Sequence, residues 1–304
     1  MKKFRELLFL NSINRVGKKT IYGKYWDILI NSTDFDELVS KMSLIINDNK
    51  KIKDALTKSD KIYNQVIENS EIDVITIFDE NYPEKLKAMG AEKPLMLYIK
   101  GNVDALTKSN IAVIGTRKPS DLSKEFEQNL VKNIVNSTDV VIVSGLALGC
   151  DKIAHKTTVD ENDITIAILP SGLDVITPAS NKKLADEILE NGGCLVSEYN
   201  PNVKANKGSY LNRDKIVAAF SDAIFVVECS IDSGTMHTVN FASDYQRQIY
   251  AYLPDERPEE SYGGNEFIIK NKDGIKVENI EEFLSDLETI QTVKKSRSVQ
   301  QTLM

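Results

Sequence analysis

From about Asn110 onward the chain repeats one device: a short run rich in β-branched residues, a turn carrying glycine, then a stretch of helical character. Ile111–Ile114 leads to Gly115, Val140–Val143 to Gly145, Ile164–Leu169 to Gly172 and Ala223–Val227 to Gly234, and Gln248–Leu253 closes the series. Apolar runs this continuous belong to strands covered on both faces, and their alternation with helices makes the sheet parallel. The expected class is therefore α/β: a mostly parallel sheet with helices on both faces. Ligands of such sheets bind outside the carboxyl ends of the strands, so the glycine turns are the places to look for function.

Upstream the pattern differs. Residues 1 to about 70 read as a small helical N-terminal domain, with Leu7, Leu8, Leu10 and Ile13, then Leu38, Met42 and Ile45, near helical spacing. Within it Ile13–Lys19 resembles the glycine turn of a helix-hairpin-helix, which holds DNA phosphate on backbone N–H groups; a plain helix connection uses the same residues. Residues 72–78 (IDVITIF) and Leu95–Ile99 are strand candidates separated by the Tyr82-Pro83 break. Thr292–Met304 lack periodicity and are expected to be a frayed tail.

Composition narrows the partners. Of 304 residues, 41% are hydrophobic and 27% charged, enough for a sizeable core without staples. The cysteines Cys150, Cys194 and Cys229 are odd in number and form no CxxC, as expected of buried thiols in a reducing cytosol. The longest apolar run near the N-terminus, LLFL, is too short for a signal peptide, and nothing approaches the ~18 apolar residues of a membrane span. The expected location is cytoplasmic, with no membrane partner. A net charge of −7 argues against nucleic acid unless cations gather locally.

They do gather. Gly115-Thr116-Arg117 offers a close backbone approach, a hydroxyl, N–H groups and a guanidinium fork suited to phosphate. Ser144–Asp151 places Gly145 and Gly149 around a short loop, with Asp151 as helix N-cap: an anion cradle, or simply a capped turn. Pro170–Asp174 is equally ambiguous, and Ser233-Gly234-Thr235 meets another helix start. Lys182 and Lys183 open a helix after Pro178, and Lys204, Lys207, Arg213 and Lys215 follow, with Tyr210 among them. Cations interleaved with an aromatic suit a single strand, whose backbone follows the charges while a base stacks; a solvated helix face has the same composition. Catalytic groupings are poor. His155 and His237 lack HxxxH spacing, there is no Walker A sequence, and no cysteine–histidine grouping suggests a metal. Glu198 and Glu228 close strands, where they could act as acids or cap a helix. No cofactor and no enzymatic activity are expected.

Together these segments resemble the DprA/Smf family. IAVIGTRKPS is similar to its strand and G-S/T-R turn, VIVSGLALGCDKIAH to its second turn, and IAILPSGLDVITPASNKKLADEI to its third. LVSEYNP, the block Lys207–Ala219 and AIFVVECSIDSGTMHTVNFASDYQRQIYAYL also have family counterparts. The resemblance runs from about 72 to 288. It implies an extended Rossmann-like domain over 71–288, with a helical domain over 1–70 before it and a tail over 289–304 too short for the winged helix of many members. It also implies single-stranded DNA binding, a homodimer and loading of a RecA-type recombinase, as in natural transformation. Carried over by position, Gly115, Thr116 and Arg117 form the phosphate turn, Lys207, Arg213 and Lys215 line the strand path, and Lys182 or Lys183 stands at another basic site. Several positions depart from the pattern: Leu148 replaces an arginine, Tyr210 a phenylalanine, Leu211 a proline, Asp214 an asparagine and Lys215 an arginine. Two other functions use the same turns. One is a nucleotide-sensing module; the other is a hydrolase of the LOG kind, whose motif glutamate is Thr238 here.

Overall fold

A computed structural model describes residues 1–287; the expected tail over 289–304 lies outside the described residues. The strands are β1 (Asp73–Thr76), β2 (Met96–Gly101), β3 (Asn110–Ile114), β4 (Val141–Ser144), β5 (Thr165–Ile168), β6 (Cys194–Ser197), β7 (Ala223–Val226), β8 (Gln248–Tyr252) and β9 (Ile275–Val277). They form a nine-stranded sheet in the order β1-β2-β6-β5-β4-β3-β7-β8-β9. From β6 to β9 every pairing is parallel; β1 and β2 join antiparallel at one edge. The class is α/β with a mostly parallel sheet, as expected. β9 has two exposed residues in its three and carries no apolar run by which it could be read from sequence.

After β3 the chain moves outward through β4, β5 and β6, then returns to β3's other side for β7. The strand order therefore reverses at β3, and the crevice beyond its carboxyl end is the topological switch point. Helices α6 (Asp121–Ser137), α7 (Cys150–Asp160), α8 (Lys182–Glu190), α9 (Lys207–Phe220), α10 (Thr235–Asp244) and α11 (Glu259–Asn271) lie along the sheet. The two-residue period of the strands divides the core between faces. Ala112 and Ile114 pack with Val217 of α9 and Val239 of α10, and Ile111 and Val113 pack with Leu130 and Val131 of α6.

The N-terminal segment forms α1 (Phe4–Ser12), α2 (Lys18–Thr20), α3 (Trp26–Ile30), α4 (Phe35–Ile46) and α5 (Asn49–Ile67). Leu7, Leu8, Leu38 and Met42 share a buried cluster with Val74, Met96 and Tyr98 of the antiparallel edge. Ile45 departs from the expected stripe and is 46% exposed. Ile46, four residues after Met42, continues the i, i+4 row and packs on the cluster instead.

Candidate nucleic-acid interface

Three turns converge at the switch point. The first follows β3. A Cβ on Gly115 would lie 2.5 Å from the Cys150 sulfur, so its bareness lets the start of α7 pack onto this turn. The Cys150 N–H donates to the Thr116 carbonyl (3.1 Å), and Gly149, at φ +74, passes so near that a Cβ would lie 2.3 Å from the same oxygen. The Thr116 N–H donates to the Glu228 carbonyl at 2.7 Å and is not free for phosphate, contrary to expectation. The Thr235 hydroxyl donates to the Gly115 carbonyl (3.0 Å) and ties the turn after β7 to the other two. Ser120 caps α6 through the Ser123 N–H. Glu228 is buried and accepts from the Ser120 N–H at 2.8 Å and its hydroxyl at 2.7 Å. Arg117 and Lys118 project from this braced loop into solvent.

The second turn holds an anion, but one of the protein's own. Asp151 is not the N-cap; α7 begins at Cys150, with Gly149 at the cap. The Asp151 carboxylate instead folds back to accept from the Gly145 N–H (3.2 Å) and the Ala147 N–H (3.3 Å). It also accepts from Arg213 Nη1 (3.3 Å). Gly145 is bare because the Arg213 guanidinium lies where a side chain would be: a Cβ would come within 1.2 Å of Nη1. Arg213 is buried, and its Nε faces Asp214 at 3.3 Å. The expected cation of the strand path is thus neutralised by two carboxylates. Burial pushes the Asp214 carboxyl from its ordinary 3.8 up to about 6, against the pull of Arg213.

These elements enclose an open cleft of about 920 Å³. Of the expected residues, Gly115, Thr116, Arg117, Lys207, Tyr210, Arg213, Ser233, Gly234 and Thr235 line it. The free cations stand on the rim: Arg117 and Lys207 are exposed, and the Arg117 guanidinium lies 5.7 Å from the Tyr210 ring centroid. A cation over an aromatic face makes a platform for a stacked base. Asp151, Asp214 and His237 also line the cleft, and reading by charge runs missed the two acids because each faces a cation from another segment or the next residue.

Four expected residues lie outside it. Gly145 is covered by Arg213. Lys182 and Lys183 are exposed at the start of α8, where Lys183 pairs with Glu187 at 3.3 Å. Lys215, beside the cleft-lining face of α9, pairs with Glu92 and lines a separate hollow of about 320 Å³ with Lys18 and Lys19. At the Gly17 turn the lysine side chains are engaged, Lys18 with Glu198 (2.5 Å) and Lys19 with Glu92 (2.6 Å). The Pro170–Asp174 turn braces its neighbours: the Gly172 N–H donates to the Val203 carbonyl (2.8 Å), and Asp174 accepts from the Asn202 N–H. Among the described residues no group of three or more histidines, cysteines or acids could hold a metal ion.

A Rossmann-like α/β protein with a cation-rimmed cleft at its topological switch point is the class that fold and site define. Residues 73–288 match the family described as DNA recombination-mediator protein A, and the chain belongs to that family, DprA/Smf. It is 32% identical over 196 residues to the Smf protein of Borreliella burgdorferi, covering 63% of this chain and 60% of that one. It is 34% identical over 176 residues to the DNA processing protein DprA of Streptococcus pneumoniae, covering 58% and 61%. The chain thus spans about 60% of the length of these curated relatives. The solved structure of the Streptococcus pneumoniae DprA aligns with a TM-score of 0.76 at 25% identity, over 92% of this chain and 96% of that one. DNA processing protein A of Helicobacter pylori, solved to explain that protein's single-stranded DNA binding mode, aligns with a TM-score of 0.64 at 32% identity, over 74% and 97%.

Proposed function

We propose that this chain binds single-stranded DNA in the cleft at the switch point and passes it to a RecA-type recombinase, as in natural transformation. In this reading it acts in the cytoplasm, as a homodimer, without a cofactor and without catalysing a covalent step. The observation that carries the reading is the rim: Arg117 poised over Tyr210, with Lys207 exposed on the same cleft. Rim cations follow a phosphate backbone while the aromatic accepts a base, a mode that tolerates any sequence. No helix of the described residues is long and apolar enough to cross a membrane.

The experiment is a fluorescence-anisotropy titration of a labelled 15-mer, with unlabelled single strand, duplex and nucleoside monophosphates as competitors. Single strand is expected to compete best. Arg117→Ala should weaken binding for every sequence and make the plot of log affinity against log salt shallower by about one unit, the share of one phosphate contact. Unchanged affinity in a folded variant would remove this turn from the interface. A nucleotide-sensing module is the second reading, favoured by the two carboxylates that offset Arg213 in the floor of the cleft. Competition by a free mononucleotide at concentrations where single strand does not compete would select it.

A further inference from the structure

We propose that a bound strand does not end in the cleft but runs on over a second cation–aromatic step, made by Phe241 and Lys215, to Lys19 of the N-terminal segment. This rests on the single-stranded DNA reading of the cleft. Two helices place the step. α9 joins β6 to β7 and α10 joins β7 to β8, all of them parallel strands. Both helices therefore start at the carboxyl edge of the sheet, where the cleft lies, and run away from it. On α9 Leu211 lines the cleft and Lys215 follows at i+4; on α10 His237 lines the cleft and Phe241 follows at i+4. At a rise of ~1.5 Å per residue, Lys215 and Phe241 each stand about 6 Å beyond the cleft wall. They meet there, with the Lys215 ammonium 5.4 Å from the Phe241 ring centroid.

The step repeats the device at the rim, where Arg117 lies 5.7 Å from the Tyr210 ring centroid. Phe241 and Tyr245, one turn further along α10, pack on the core by one side and stay partly open to solvent by the other. Their rings lie 6.4 Å apart with 17° between the planes, so the aromatic surface continues along the helix. Lys215 also opens the hollow of about 320 Å³, whose lining sets three lysines, Lys18, Lys19 and Lys215, against one carboxylate, Glu92. Glu198 pairs with Lys18 and Glu92 is shared by the other two, which leaves a net positive charge. The Lys19 side chain remains 72% exposed and is the cation most open to a phosphate. Stacking on a ring reads no base edge, so the second step tolerates any sequence, as the first does.

The test is a length series, (dT)4 and (dT)15, measured by fluorescence anisotropy on the wild type, Arg117→Ala, Phe241→Leu and Lys19→Gln, with melting temperature as a check on folding. Phe241→Leu keeps apolar bulk against the core and removes the ring; Lys19→Gln alters a side chain that stands in solvent. For (dT)15, Phe241→Leu is expected to weaken binding about fivefold or more, the scale of one base–aromatic stack. Lys19→Gln should make the plot of log affinity against log salt shallower by about one unit. Neither should change the binding of (dT)4, which the cleft holds alone. A (dT)15 analogue carrying 5-iodouracil, irradiated on the wild type, should cross-link to Phe241 or Tyr245 as well as to Tyr210, which a purely structural pair of rings would not give. If Arg117→Ala weakens (dT)15 while Phe241→Leu and Lys19→Gln do not, and no cross-link forms on α10, the second step is overturned and the cleft reading stands. Equal weakening of both lengths by Phe241→Leu also overturns it, because the ring would then act through the cleft. Binding of (dT)15 that Arg117→Ala leaves unchanged overturns the cleft reading itself.

Discussion

Asp214 shows how one residue can set the electrostatics of a site. Its carboxyl, buried beside Arg213 and facing Asp151, Arg213, His237 and Arg117, titrates at about 6 where an exposed aspartate titrates at 3.8. The sign follows from the charge. Above pH 6 the floor carries one more negative charge; acidification through that value neutralises it and favours an incoming phosphate backbone. Binding of (dT)15, whose base does not titrate in this range, should strengthen about fivefold between pH 7.5 and pH 5.5, the effect of one charge at short, partly screened range. Asp214→Asn should flatten that profile, and His237→Gln measures the part due to the neighbouring imidazole. A profile unchanged by Asp214→Asn would place the titrating group elsewhere.

At the scale of single elements, α9 separates two kinds of cation that composition alone treats as one. Lys207 stands exposed at its first turn, while Arg213 is buried two turns on, between Asp151 and Asp214. Their alanine variants should therefore fail in different ways. Lys207→Ala should lower DNA affinity and leave stability within about 0.5 kcal/mol, as surface changes do. Arg213→Ala strands the buried Asp151 and the half-buried Asp214 and should cost about 3 kcal/mol, read by urea denaturation. Equal stability of the two variants would mean that Arg213 is no structural tie. The glycine turns teach the same distinction. Gly115, Gly145 and Gly149 announce close approach in the sequence, and close approach is what they provide, but to Cys150, Arg213 and Thr116 of the same chain. Local sequence reports that a backbone must be bare; it cannot report whether a ligand or the protein's own side chain fills the space. The turns, the rim residues Arg117 and Lys207 and the aromatic Tyr210 were readable because each depends on residue type and position along one element. The Asp151–Arg213–Asp214 knot was not, because it joins α7 to α9 across 62 residues of chain.

On the scale of the whole molecule, the alternating apolar runs suffice to foretell a parallel sheet, and the sheet's order puts a crevice beyond β3 whatever the protein does there. A hydrolase could use the same crevice, so the choice between binder and enzyme turns on which carboxylates reach it. Glu228, at the end of β7, does not line the cleft; its carboxylate is held by Ser120 behind the Thr116 turn. Thr238, which does line it, cannot serve as a base near neutral pH. That leaves Asp151 and Asp214. Cleaving a base–ribose bond takes a carboxylate free to stabilise the sugar cation or activate water, usually with a second acid opposite. Asp151 is buried and accepts from two backbone N–H groups and Arg213, so it is committed to structure. Asp214 has a carboxyl poised near 6, in the range of a general acid, but the other carboxylate that lines the cleft among the described residues is the committed Asp151. The expected outcome of incubating the protein with each nucleoside monophosphate, followed by chromatography, is no release of free base. Release that vanished in Asp214→Asn while single-strand binding persisted would make Asp214 a catalytic acid and the binder-only account wrong.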